Sequence, residues 1–238
     1  MQDVVWIQPP GVDPEWILGF PYGMRNPSDD SADSRLHGIL DLLAAEYPNR
    51  PPMLVYVNPY QLAVAVSLSA QTTDAAVNRT TPELFRRWPD AASLAKAEEG
   101  EVEEVIRSLG FFRQKARNLI AAARRIVEDF DGDVPREMGD LISLPGIGRK
   151  SANVIRAHVW GLPGIIVDTH FGRVCRRLGL TDATDPAKVE RDIETQVPVD
   201  RWNEFSMTAN YHGRKCCTAR KPDCTACPVE HLCPKYGV

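Results

Sequence analysis

Lys150 and Asp168 are the pair whose types and surroundings point most directly to chemistry. Lys150 opens an apolar helical stretch, with Ala152, Val154, Ile155 and Val159 behind it, directly after the turn Leu144-Pro-Gly-Ile-Gly-Arg149. The positive end of a helix dipole and partial burial both oppose an ammonium at that point, and an amine that loses its proton readily is a nucleophile. Asp168 ends the apolar run Ile165-Ile166-Val167 and precedes Thr169-His170. An aspartate there caps the helix that follows, and a capping carboxylate is held rigidly enough to serve a neighbouring amine too. Between the two halves of the hairpin, Pro145 stops one helix, while Gly146 and Gly148 allow backbone that other residues enter with difficulty. N–H groups bared where Gly148 opens the next helix, with Arg149 and Lys150 beside them, suit an anion such as a phosphate. A plain tight connection between two helices is the simpler alternative.

The cysteines suggest a second kind of chemistry. Five of the six stand at 216, 217, 224, 227 and 233. Disulfides are rare in a reducing compartment, so such clustering points to a metal centre. The frame Cys217-x6-Cys224-x2-Cys227-x5-Cys233 holds only one of the Cys-x2-Cys pairs that zinc ribbons use twice. Four thiolates in close succession also suit a cubane iron–sulfur cluster. Cys216 is then spare, and Cys175 reads as a core residue of its helix.

The elements that must position these groups all read as helices. Ser34 is a plausible cap for a first helix carrying Leu36, Ile39, Leu40 and Leu43. Leu62 to Leu68 reads as a core helix. Further helices are predicted over 80–88, 93–98, 102–108, 113–130, 138–143, 149–160, 169–178, 186–196 and 202–212, with Pro82, Pro89, Gly110 and Gly132 as punctuation. Residues 1–33 are rich in Pro, Gly, Asp and Ser, and read as a loose acidic arm. The fold class is all-α.

The chain has 238 residues, enough for one large domain or two small ones, and a net charge of −4. That charge is unevenly spread. Residues 1–50 hold eight acids against three bases, whereas 105–127 hold six bases and no acid, and 141–181 six bases with Asp168 alone opposing them. Nucleic acid is held by patches rather than by the average, so the acidic total does not exclude it. No apolar run approaches the roughly 18 residues of a membrane span. The N-terminal residues lack the basic and apolar regions of a signal peptide, so a cytoplasmic protein with no membrane partner is expected.

The hairpin Leu144 to Ala152, Val167-Asp-Thr-His170, Leu68-Ser-Ala-Gln-Thr-Thr-Asp74 and the cysteine spacing, taken in order, resemble the endonuclease III family. These are DNA base-excision glycosylases of the helix–hairpin–helix superfamily, and the resemblance runs from about Arg35 to Cys233. It implies two helical lobes with a DNA groove between them. A helical barrel lobe over 53–162 would carry the hairpin, and a discontinuous lobe of 34–52 and 163–238 an iron–sulfur cluster. It further implies Lys150 as nucleophile and Asp168 as its partner. Gln71 would fill the gap left by a flipped nucleotide, and Phe111, where the family often has leucine, would part neighbouring bases. Ser69 and His170 would neighbour the pocket, while Gly146, Gly148 and Arg149 would contact phosphate. Cys217, Cys224, Cys227 and Cys233 would hold a [4Fe–4S] cluster. The implied activity is removal of oxidised pyrimidines from double-stranded DNA, followed by strand cleavage through a lysine Schiff base. The implied agent is a monomer associated with the nucleoid. A monofunctional mismatch or uracil/thymine glycosylase on the same scaffold is the rival, but it would usually lack the hairpin lysine. An adenine glycosylase would place a glutamate where Val66 stands.

Overall fold

The computed structural model describes residues 29–49 and 51–238. The arm expected over 1–33 falls outside them as far as residue 28. From Asp29 the chain is already helical, five residues before the cap predicted at Ser34. Once the Leu36, Ile39, Leu40 and Leu43 stripe has nucleated a helix, extending it by a turn costs little.

Eleven α-helices form the described chain: α1 Asp29–Glu46, α2 Pro59–Leu68, α3 Asp74–Arg87, α4 Ala91–Ala95, α5 Glu99–Ile106, α6 Phe112–Asp129, α7 Met138–Ser143, α8 Arg149–Trp160, α9 Thr169–Arg177, α10 Pro186–Glu194 and α11 Trp202–Lys215. No strand occurs among the described residues. Helix α2 is buried all round from Leu62 to Leu68, as befits the helix at the centre of a bundle. Pro59 stands in its first turn, where no N–H is needed, and the Asn58 side chain accepts the Gln61 N–H at 2.8 Å. Helix α3 starts at Asp74, not near Thr80, because Thr73 caps it and the helix continues through Pro82. A proline inside a helix costs about 3 kcal/mol. Burial of Val77, Thr80, Thr81 and Leu84 along the same helix opposes that cost.

Two separate apolar cores result. One gathers α2 to α8, from Tyr60 to Ile155, and the other joins α1 to α9, α10 and α11. The chain passes between them twice, before α2 and after α8. On the second passage the Ile166 N–H donates to Ser206 Oγ at 3.0 Å and the Gly164 N–H to Asn203 Oδ1 at 3.1 Å. Helix α11 therefore satisfies a buried extended segment that has no sheet to join. Asn153 adds a buried clasp, donating to the Ile165 carbonyl and to Glu190 Oε1, each at 2.9 Å.

Candidate active site and cysteine-lined cavity

Asp168 is the N-cap of α9, as its position implied. Its Oδ1 accepts the Phe171 N–H at 2.7 Å, and its Oδ2 accepts from Asn210 Nδ2 at 2.5 Å. Asn210 Oδ1 in turn accepts from Arg214 Nε at 2.9 Å, and Arg214 Nη2 lies 3.3 Å from Asp74 Oδ2. Both carboxylate oxygens are thus fixed, and the fixing group is itself fixed. Asn210 and Arg214 were not among the site residues expected from the sequence. The signal was there, because Ser206, Asn210 and Arg214 repeat at a spacing of four and so share one face of α11.

Lys150 is the second residue of α8, and it lines the same cleft as Asp168, Ser69, Asp74, His158 and Asn210. The cleft encloses about 110 Å³. Met53, Leu54, Val66 and Met207 supply apolar wall, and burial pushes the His158 imidazole toward its neutral form. The partial burial expected of Lys150 is not found, for its side chain is exposed. Ala152 and Ile155 turn the apolar stripe of α8 into the core, and the second helical position lies off that stripe.

The remaining predicted residues divide. Ser69 lines the cleft and donates to the Val66 carbonyl at 2.8 Å. His170 does not line it; its Nδ1 faces Arg173 Nη2 at 3.2 Å, and its backbone packs on Gly213 in the seam between α9 and α11. Arg149 bonds through Nε to buried Glu190 at 2.8 Å, fastening the start of α8 to α10, while its side chain stays 53% exposed. Gln71 (φ 52°) and Phe111 (φ 58°) both hold left-handed backbone without being glycine. Both are exposed, Phe111 by 68%.

The two hairpin glycines also differ. Gly146 has φ 85°, and a Cβ there would lie 2.7 Å from Ser67 Oγ and 3.2 Å from Asn118 Cβ. Gly148 has φ −95° and open space around it, so its backbone is not the restricted kind the sequence suggested. Gly146→Ala is expected to lower stability by about 2 kcal/mol or more, through left-handed strain and overlap together. Gly148→Ala is expected to stay within about 1 kcal/mol of wild type. Denaturant unfolding of the two variants checks this, and equal losses would contradict it.

At the far end, Cys217, Cys224, Cys227 and Cys233 line one cavity with Cys216 and His212, backed by Val174, Leu178 and Val229. No cysteine is in a disulfide among the described residues. Burial pushes the Cys216 thiol up to about 12 and raises those of Cys227 and Cys233. Thiols buried in this way ionise when a metal cation takes them, so the donor set suits a soft metal group. The tightest grouping is not the predicted one, since ligand atoms of His212, Cys216 and Cys227 lie within 4.8 Å of one another. Cys217 Sγ instead meets Arg177 Nη1 at 3.2 Å. His212 is shielded, with Tyr47 Oη 3.1 Å from its Nδ1, and burial pushes its imidazole down to about 4.

Comparison with known proteins sets the class first. The HhH-GPD superfamily of base excision DNA repair proteins matches residues 64–198, which include the hairpin, Lys150 and Asp168. The iron–sulfur binding domain of endonuclease III matches residues 217–233. Endonuclease III of Synechocystis sp. is 51% identical over 86% of this chain and 94% of its own length. That of Bacillus subtilis is 40% identical over 82% of this chain and 89% of its own. A solved trapped endonuclease III–DNA covalent intermediate superposes with a TM-score of 0.81 at 37% identity, covering 85% of this chain and 96% of the other. The chain belongs to the endonuclease III family.

Proposed function

We propose that this protein excises oxidised pyrimidines from double-stranded DNA and then cleaves the strand at the abasic site, with Lys150 as nucleophile and Asp168 as its electrostatic partner. The observation that carries the reading is the meeting of Lys150 with a doubly fixed Asp168 in one cleft. A base inside the duplex is out of reach of both groups, so the damaged nucleotide is turned out into the cleft. The Lys150 nitrogen attacks C1′ through its lone pair as the glycosidic bond breaks, and that bond's electrons leave with the base. Asp168 offsets the positive charge that develops on the sugar. The attacking nitrogen gives its extra proton to the departing base, the sugar ring opens as O4′ takes a proton from water, and a protonated Schiff base forms between Lys150 and C1′. Loss of a C2′ proton expels the 3′ phosphate and nicks the strand. Borohydride reduction, which makes the Schiff base permanent, tests the reading.

The 53–162 segment works as the barrel lobe, and 34–52 with 163–238 as the cluster lobe, a division that the two cores support. Gln71 and Phe111 enter the stack around the flipped site. Gly148, with nothing where a Cβ would stand, leaves the start of α8 open to a phosphate, and Gly146 shapes the turn beside it. Arg149 contributes the exposed part of its guanidinium, while Ser69 borders the base and His170 steadies α9. The protein acts as a monomer on the nucleoid of the cytoplasm.

Cys217, Cys224, Cys227 and Cys233 hold a [4Fe–4S] cluster, which when bound cross-links the loop after α11. About four irons per chain are expected after anaerobic purification. Cys224→Ser is expected to lose the metal and Cys216→Ser to keep it, as read by iron and sulfide assay. Stoichiometric zinc without sulfide, or loss of iron on removing Cys216, would overturn the ligand set.

A further inference from the structure

Lys115 is the one lysine buried in the described structure, 6% exposed, on the first turn of α6. No carboxylate among the described residues pairs with it, and burial alone lowers its pKa. An unpaired buried ammonium destabilises a fold, so some other benefit must explain its presence.

Its contacts point to that benefit. The Lys115 backbone N–H donates to the Phe111 carbonyl at 3.0 Å, the first helical bond after the left-handed residue. Its Nζ donates to Thr72 Oγ1 at 2.5 Å, across a separation of 43 residues. Thr72 adjoins Gln71, and its N–H donates to the Ser69 carbonyl at 3.1 Å, closing the turn that holds Gln71 at φ 52°. One residue therefore ties together the two exposed, strained loops that carry Gln71 and Phe111. Strain of this kind persists only where surrounding contacts over-determine it.

We infer that Lys115 is a positioning residue that locks the Gln71 turn to the Phe111 turn, so that both side chains enter the DNA stack as one rigid unit. This rests on the proposed base-flipping reading. Two tips on independent loops would each lose conformational freedom on entering the duplex, whereas two tips fixed to one bridge have already lost it. Lys115 itself does not touch the reacting atoms.

The test separates positioning from mere structural support. Lys115→Met keeps the unbranched side chain to within one atom of its length and removes the buried charge, so the melting temperature is expected to hold or rise. Base release from a duplex is expected to fall about tenfold or more, as small misplacements do. Emission from 2-aminopurine beside the lesion, which reports opening of the stack, is expected to fall with it. Release from the same lesion in single-stranded DNA, where no stack must be parted, is expected to keep its wild-type rate, and Lys115→Arg is expected to restore part of the duplex rate. Thr72→Val removes the acceptor, together with the hydroxyl's own 3.3 Å bond to the Ala70 carbonyl, and serves if Lys115→Met folds poorly. The two changes combined are expected to be no worse than either alone. Equal loss on duplex and single strand, or wild-type duplex release and 2-aminopurine emission with either variant, would overturn the inference. Borohydride trapping of the wild-type chain is run alongside; its failure would strike the proposed function itself, whereas its success with unaffected variants would strike only the bridge.

Discussion

Asp168→Asn is expected to slow base release from an oxidised-pyrimidine duplex by about 10²–10³-fold, the usual consequence of removing one preorganised electrostatic group. The fold is expected to survive, because asparagine caps a helix about as well as aspartate and still accepts the Phe171 N–H. The damage falls on the other oxygen. Asn210 now donates to Asp168 Oδ2 while its own oxygen accepts from Arg214. If the new amide turns its Nδ2 toward Asn210, two donors face each other, and rotating Asn210 moves the conflict to Arg214. The substitution thus removes the negative charge and also disturbs the bonds that aim it. On DNA already lacking the base, the glycosidic bond is gone and less positive charge develops at the sugar, so strand cleavage is expected to fall much less. Single-turnover assays of the two substrates side by side check this. Equal losses on both would mean that Asp168 serves the lyase step or the fold, and not chiefly base departure.

Much of the fold was legible because its cues are local. Helix α2 declared itself through an unbroken apolar run, and α8 through the glycine and proline before it. The start of α1 was misplaced because continuing a nucleated helix past Ser34 needs no residue signal. The start of α3 was misplaced because Pro82 reads as a breaker when the burial that offsets it is invisible. Asp168 was legible as both cap and functional carboxylate, since one residue type serves both. Arg149 was less so. Its bond to Glu190 spans 41 residues, and no local pattern announces a partner at that distance. The exposure of Lys150 was missed for a related reason. Apolar neighbours indicate which helix is buried, but the angular position of the second residue decides which way its side chain faces. The bridge from Lys115 to Thr72 is likewise long-range, and Gln71 and Phe111 show their left-handed backbone only in three dimensions.

The most direct measurement is borohydride trapping of Lys150→Gln beside wild type, on a duplex with one oxidised pyrimidine. A Schiff base needs an amine, and glutamine offers a neutral amide, one atom shorter, with no nucleophilic nitrogen. Wild type is expected to become covalently joined to the DNA. Lys150→Gln is expected to give no covalent product and no base release. It should still bind the duplex, because the backbone of the α8 start and the exposed basic helices remain to hold phosphates. Base release by Lys150→Gln at the wild-type rate would contradict the account, since water and not Lys150 would then attack C1′.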